Sequence, residues 1–77
     1  MSATVRFEDR AAGRTDALLG VITIGIIVPI DHPRLRVAWQ CFLPEIAAGP
    51  RPVADTEAAK RAIERRAAQW LEAAGLS

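Results

Sequence analysis

The chain has 77 residues, one domain's worth and close to the lower limit at which a single core holds a fold unaided. Its 51% hydrophobic and 25% charged residues argue against a disordered tail or linker, and ten Lys plus Arg against nine Asp plus Glu give a net charge of +1, which demands no polyanionic partner. Cys41 is the one cysteine, so an internal disulfide framework and a multi-cysteine zinc or iron–sulfur site are excluded. The single cysteine fits a reducing cytoplasm, and export is not expected, since the first ten residues mix charges of both signs and lack the basic-then-apolar layout of a secretion signal.

Thr4 to Glu8 alternates, with Val5 and Phe7 on one side and Thr4, Arg6 and Glu8 on the other, which predicts a half-buried strand near residues 3–8. Asp9 to Asp16 breaks the alternation with Gly13, Thr15 and two aspartates and reads as a loop between strands. From Ala17 to Ile30 nearly every position is apolar and many are β-branched. This run predicts one long strand near residues 18–30, buried on both faces, with Gly20 and Gly25 marking places for a bulge. It is shorter than the roughly 20 residues of a membrane-spanning helix, and its glycines and isoleucines favour strand, so no membrane association is expected.

Pro29 to Pro33 reads as a turn, because two prolines remove ladder donors. A third strand near residues 34–44 alternates Leu35, Val37, Trp39, Cys41 and Leu43 against Arg34, Arg36, Ala38, Gln40 and Phe42. Gly49-Pro50-Arg51-Pro52 then predicts an unpaired connector, with the sheet ending at Pro44. Over residues 56–74 the period changes to that of a helix, with Asp55 or Thr56 as N-cap and Gly75 just past the end. Its apolar stripe is Ala59, Ile63, Ala67, Trp70 and Ala74, with Leu71 at the margin. The expected fold is a single α+β domain over residues 1–77, a three-stranded antiparallel meander with one C-terminal helix packed on one sheet face.

One helix covers one sheet face. Ile22, Ile24, Ile26 and Val28 are expected to meet it with Val5, Phe7, Val37, Trp39 and Cys41, leaving Leu19, Val21, Ile27, Ala38 and Phe42 on the other side. An apolar centre inside a polar rim is the anatomy of an interface, so the expectation is a homodimer, its sheets face to face or joined edge to edge. On the wetter face Arg6, Arg34, Arg36 and Gln40, with Phe42, form an alternative surface for a nucleic-acid backbone.

No stretch names a reaction. Cys41 has core parity, where a thiol is inert. His32 and Asp31 are adjacent in a turn, which seldom orients functional atoms for catalysis, and the serines sit at positions 2 and 77. One histidine with scattered acids supplies no metal-ligand spacing, and Gly20 and Gly25 open no helix as a phosphate loop requires. No catalytic residue, metal, cofactor or small-molecule substrate is expected.

The second half of the chain carries Trp39, the helix start Thr56-Glu57-Ala58-Ala59-Lys60 and the ending Trp70-Leu71-Glu72-Ala73-Ala74-Gly75-Leu76. This half resembles a group of small uncharacterised bacterial and phage proteins that end in strand, loop and a Trp-Leu helix. The resemblance implies a bacterial-type protein and no activity. The order of strands then helix is also similar to dimeric single-stranded nucleic-acid binders of the Whirly type, without any motif residue carried over. The sequence thus points to a small self-associating accessory module, with a nucleic-acid-binding regulator as the alternative.

Overall fold

The computed structural model describes residues 5–43 and 48–75. In chain order it contains β1 (Val5–Asp9), β2 (Thr15–Leu19), β3 (Ile22–Pro29), β4 (Val37–Cys41), β5 (Ala48–Val53) and α1 (Thr56–Ala73). The strands form one antiparallel sheet in the order β1-β2-β3-β4-β5, and α1 packs across one face. The α+β class and the C-terminal helix agree with the sequence reading; the sheet has five strands where three were expected. Ala3 and Thr4 of the expected first strand, Pro44 at the expected end of the sheet, and Leu76 lie outside the described residues.

The long apolar run is a hairpin, not one strand. Leu19 pairs with Ile22, leaving Gly20-Val21 as a two-residue turn. Gly20 has φ +66° and Val21 stays at negative φ, the sign pattern of a type II′ turn, which takes glycine first and follows the twist of the flanking strands. Farther along, Ala17 pairs with Gly25 but Leu18 pairs with Thr23, so Ile24 is an extra, bulged residue.

Turn and bulge together decide which side chains meet the helix. Ala17, Leu19, Ile24, Gly25, Ile27, Val37, Trp39 and Cys41 lie on the α1 face, while Asp16, Leu18, Ile26, Val28, Ala38 and Gln40 lie on the open face. The expected assignment of β3 therefore holds for Ile24 and is reversed beyond the bulge. Ile26 and Val28 are on the open face, and Leu19 and Ile27 are under the helix, with Ile27 only 1% exposed. Isoleucine and valine fill both parities of this segment, so hydrophobicity alone does not choose between them. Gly25 does: a Cβ there would stand 2.5 Å from the Gln40 carbonyl oxygen and 3.5 Å from Ile63 Cδ1, so the glycine face is the one the helix approaches.

The second correction is β5. Its prolines do not end the sheet, because β5 is an edge strand. Trp39 pairs with Arg51 and Val37 with Val53, whose carbonyl oxygen also accepts from the Arg36 N–H at 3.1 Å. Backbone direction alternates along a strand, so the Pro52 nitrogen points away from β4, where no donor is required. Pro50 falls in the register shift between the Trp39–Arg51 and Cys41–Ala48 pairs.

The helix starts where the Asp55 carboxylate accepts from the Ala58 N–H at 2.8 Å and stops before Gly75, at φ +73°. Its buried stripe is Ala59, Ile63, Ala67 and Leu71. Leu71, four residues beyond Ala67, completes it; Ala74 is exposed, and Trp70 packs at the side. Small residues at two of the four positions let the helix lie close on the sheet, with Ile63 filling the space over Gly25.

Candidate functional site

The open sheet face is built from cross-strand rows. Glu8, Asp16, Ile26 and Gln40 form one row; Arg6, Leu18 and Thr23 form a second; Val28, Ala38 and Pro52 form a third. Phe42 continues the alternation after Cys41, its N–H donating to the Ile24 carbonyl at 2.8 Å. Leu18 and Ala38, at 7% and 3% exposed, are crowded by their neighbours, while Ile26, Val28 and Gln40 are half-buried and Phe42 is 45% exposed. The apolar centre is thus Leu18, Ile26, Val28, Ala38 and Phe42.

Of the residues expected at an interface, Ala38 and Phe42 lie on this face. Leu19 and Ile27 do not, and Val21 stands 94% exposed at the tip of the β2–β3 hairpin. Leu18, Ile26 and Val28 are the residues the sequence reading missed. Reading Gly20-Val21 as a turn would have found Leu18, because it separates the β2 parity from that of β3.

The β1–β2 margin of the face is charged with alternating signs. Arg6 Nη2 lies 3.2 Å from Glu8 Oε1, and Arg10 Nη2 lies 3.2 Å from Glu8 Oε2. Arg10 Nε donates to Asp16 Oδ2 at 3.0 Å and Arg14 Nε to Asp16 Oδ1 at 2.8 Å. The hydrogen bonds from Arg10 and then Arg14 hold the Asp16 carboxyl below the usual carboxylate range, against the opposing effect of desolvation. On the helix side of the same hairpin, Thr15 Oγ1 donates to Asp9 Oδ1 at 3.2 Å.

These pairs break up the basic surface expected from the sequence. Arg6 is matched with Glu8, and Gln40 shares its row with Glu8 and Asp16. Arg34 and Arg36 sit apart, exposed in the β3–β4 loop. Arg51 and Arg66 instead place their guanidinium carbons 5.9 and 5.8 Å from the Trp39 ring centroid, a cation–π arrangement at the β4–α1 junction.

His32 has a structural task. Its Nδ1 accepts the N–H groups of Arg34 and Leu35, each at 3.0 Å, and so folds the β3–β4 loop. Cys41 is 1% exposed within the core. Among the described residues no group of three His, Cys, Asp or Glu side chains is placed to hold a metal ion, and no helix is long and apolar enough to cross a membrane. What the described surface offers is an apolar patch with a charge-paired margin. No family model matches the chain, no curated protein matches it, and no solved structure matches it.

Proposed function

We propose that the chain is a small non-enzymatic module that self-associates, packing its open sheet face against that of a second copy. One observation carries this reading: α1 covers one face of the five-stranded sheet, and the other presents Leu18, Ile26, Val28, Ala38 and Phe42. At about 4.8 Å between strands and about 3.3 Å per residue, such a face measures roughly 20 by 20 Å, so two copies bury on the order of 1,000 Å² in total. That is about the lower bound for a specific interface. A second copy fits better than a strongly charged partner, because the margin alternates Arg6, Glu8, Arg10, Asp16 and Arg14 and is self-complementary across a two-fold axis.

Sedimentation equilibrium at micromolar concentration tests the reading. Ile26→Lys is expected to halve the mass while leaving the far-ultraviolet circular dichroism unchanged; a wild-type monomer, or a variant with wild-type mass, refutes it. The second reading, a nucleic-acid-binding regulator using Arg6, Arg34, Arg36 and Gln40, draws support from the exposure of Arg34 and Arg36. It requires oligonucleotide affinity that falls steeply with salt and weakens in the Arg34→Ala/Arg36→Ala variant. The interleaved Glu8 and Asp16 weigh against it.

A further inference from the structure

We infer that β1 is a second, independent self-association edge, at which two copies join antiparallel about a two-fold axis through Phe7 to make one continuous sheet. The two sheet edges differ in kind. β5 carries Pro50 and Pro52, the usual means of blunting an edge, whereas β1 (Val5–Asp9) has no proline and, among the described residues, pairs with β2 alone.

Backbone direction shows what the β1 edge offers. The Arg10 N–H donates to the Arg14 carbonyl at 2.6 Å, so Arg10 faces β2, and by alternation Glu8 and Arg6 face it too. Val5, Phe7 and Asp9 therefore turn their N–H and C=O groups outward. With the axis at Phe7, Val5 stands opposite Asp9 of the partner subunit and Phe7 opposite the partner's Phe7. Every outward residue of the strand then meets an outward residue.

Charge selects this register. Arg6 falls opposite Glu8 of the partner subunit in the non-hydrogen-bonded pair, where side chains stand closest, and symmetry supplies the pair twice. Sliding by one repeat in either direction sets Arg6 against the partner's Arg6, or Glu8 against the partner's Glu8. In the favoured register the ladder that links Asp16, Arg10, Glu8 and Arg6 continues across the axis. On the helix side Phe7 is half-buried, with Lys60 Nζ 5.4 Å from its ring centroid, and the partner's Phe7 covers its open edge. This pairing uses the edge of the sheet and the face-to-face pairing its open face, so the two contacts occupy different surfaces of the subunit.

Charge reversal tests the pairing. Sedimentation equilibrium of Arg6→Glu and of Glu8→Arg should each give half the wild-type mass, and an equimolar mixture of the two should restore it, because every cross-axis pair in the mixed assembly is again of opposite sign. A second measurement covers variants that fold poorly: under mild oxidation, Arg6→Cys mixed with Glu8→Cys should form a disulfide-linked dimer and neither alone should, native Cys41 being buried. Wild-type mass in both charge variants, or no cross-link in the cysteine mixture, overturns the edge pairing. Ile26→Lys reports separately on the open face, so loss of either contact is seen without the other.

Discussion

Ala12 is the one described residue other than glycine with positive φ, at φ 61° and ψ 29°. With Gly13 at φ +77° and the Arg14 N–H 3.4 Å from the Ala11 carbonyl, it forms the centre of a type I′ turn, whose preferred pair is Asn-Gly. An alanine held there costs about 1–2 kcal/mol, most of which asparagine avoids through its local hydrogen bonding. Ala12→Asn should therefore stabilise the protein by about 1 kcal/mol, read as a higher urea midpoint at unchanged slope. One turn away, Asp16 makes the fold sensitive to acid. Arg10 and Arg14 depress its pKa, so its contribution is complete above the unfolded value near about 4 and is lost as pH falls through the folded one. Denaturation midpoints should fall between neutral pH and about pH 2.5 by more in the wild type than in Asp16→Asn; equal slopes would remove Asp16 from the acid response.

Among elements, the bounds of α1 were legible because cap, period and terminator agree, from Asp55 to Gly75, while the end of its stripe was not, since Leu71 and not Trp70 or Ala74 is buried. β2 and β3 were not, because Gly20-Val21 interrupts the run with a valine where hairpin turns ordinarily carry a polar residue, and nothing in the hydrophobic pattern registers the reversal. β5 was hidden for the opposite reason: its prolines speak against a central strand and are silent about an edge. The open face suffered most, since a hairpin and a bulge each reset the parity from which Leu19 and Ile27 were assigned to it. Gly25 held the information in a form that only the packed helix discloses. Gly25→Ala places a methyl 2.5 Å from the backbone oxygen of Gln40, an atom that moves only if β4 moves. Overpacking of this kind costs about 1–3 kcal/mol, so thermal and urea unfolding should both shift down, with loss of the near-ultraviolet signal of Trp39 preceding loss of helix. An unchanged midpoint would mean that β3, β4 and α1 do not converge at Gly25.

At the scale of the whole molecule, the proposed pairing makes stability depend on assembly. A domain of 77 residues buries a smaller fraction of its chain than larger ones do, and here the face opposite α1 leaves Ile26 and Val28 half-buried and Phe42 45% exposed. If native subunits are paired and unfolded chains are not, unfolding follows mass action and the melting temperature depends on protein concentration. For one pairing alone a tenfold dilution removes about 1.4 kcal/mol per dimer, which the unfolding entropy of two such chains converts to about 4 °C, and with both pairings formed the shift is larger. The wild type should show at least that shift per decade of concentration. Ile26→Lys combined with Arg6→Glu, which removes the face and the edge together, should melt at one temperature throughout. Calorimetry over a hundredfold range of concentration separates the cases: a concentration-independent wild-type transition means that the monomer is the cooperative unit, and that the open face and the β1 edge are both solvated surface.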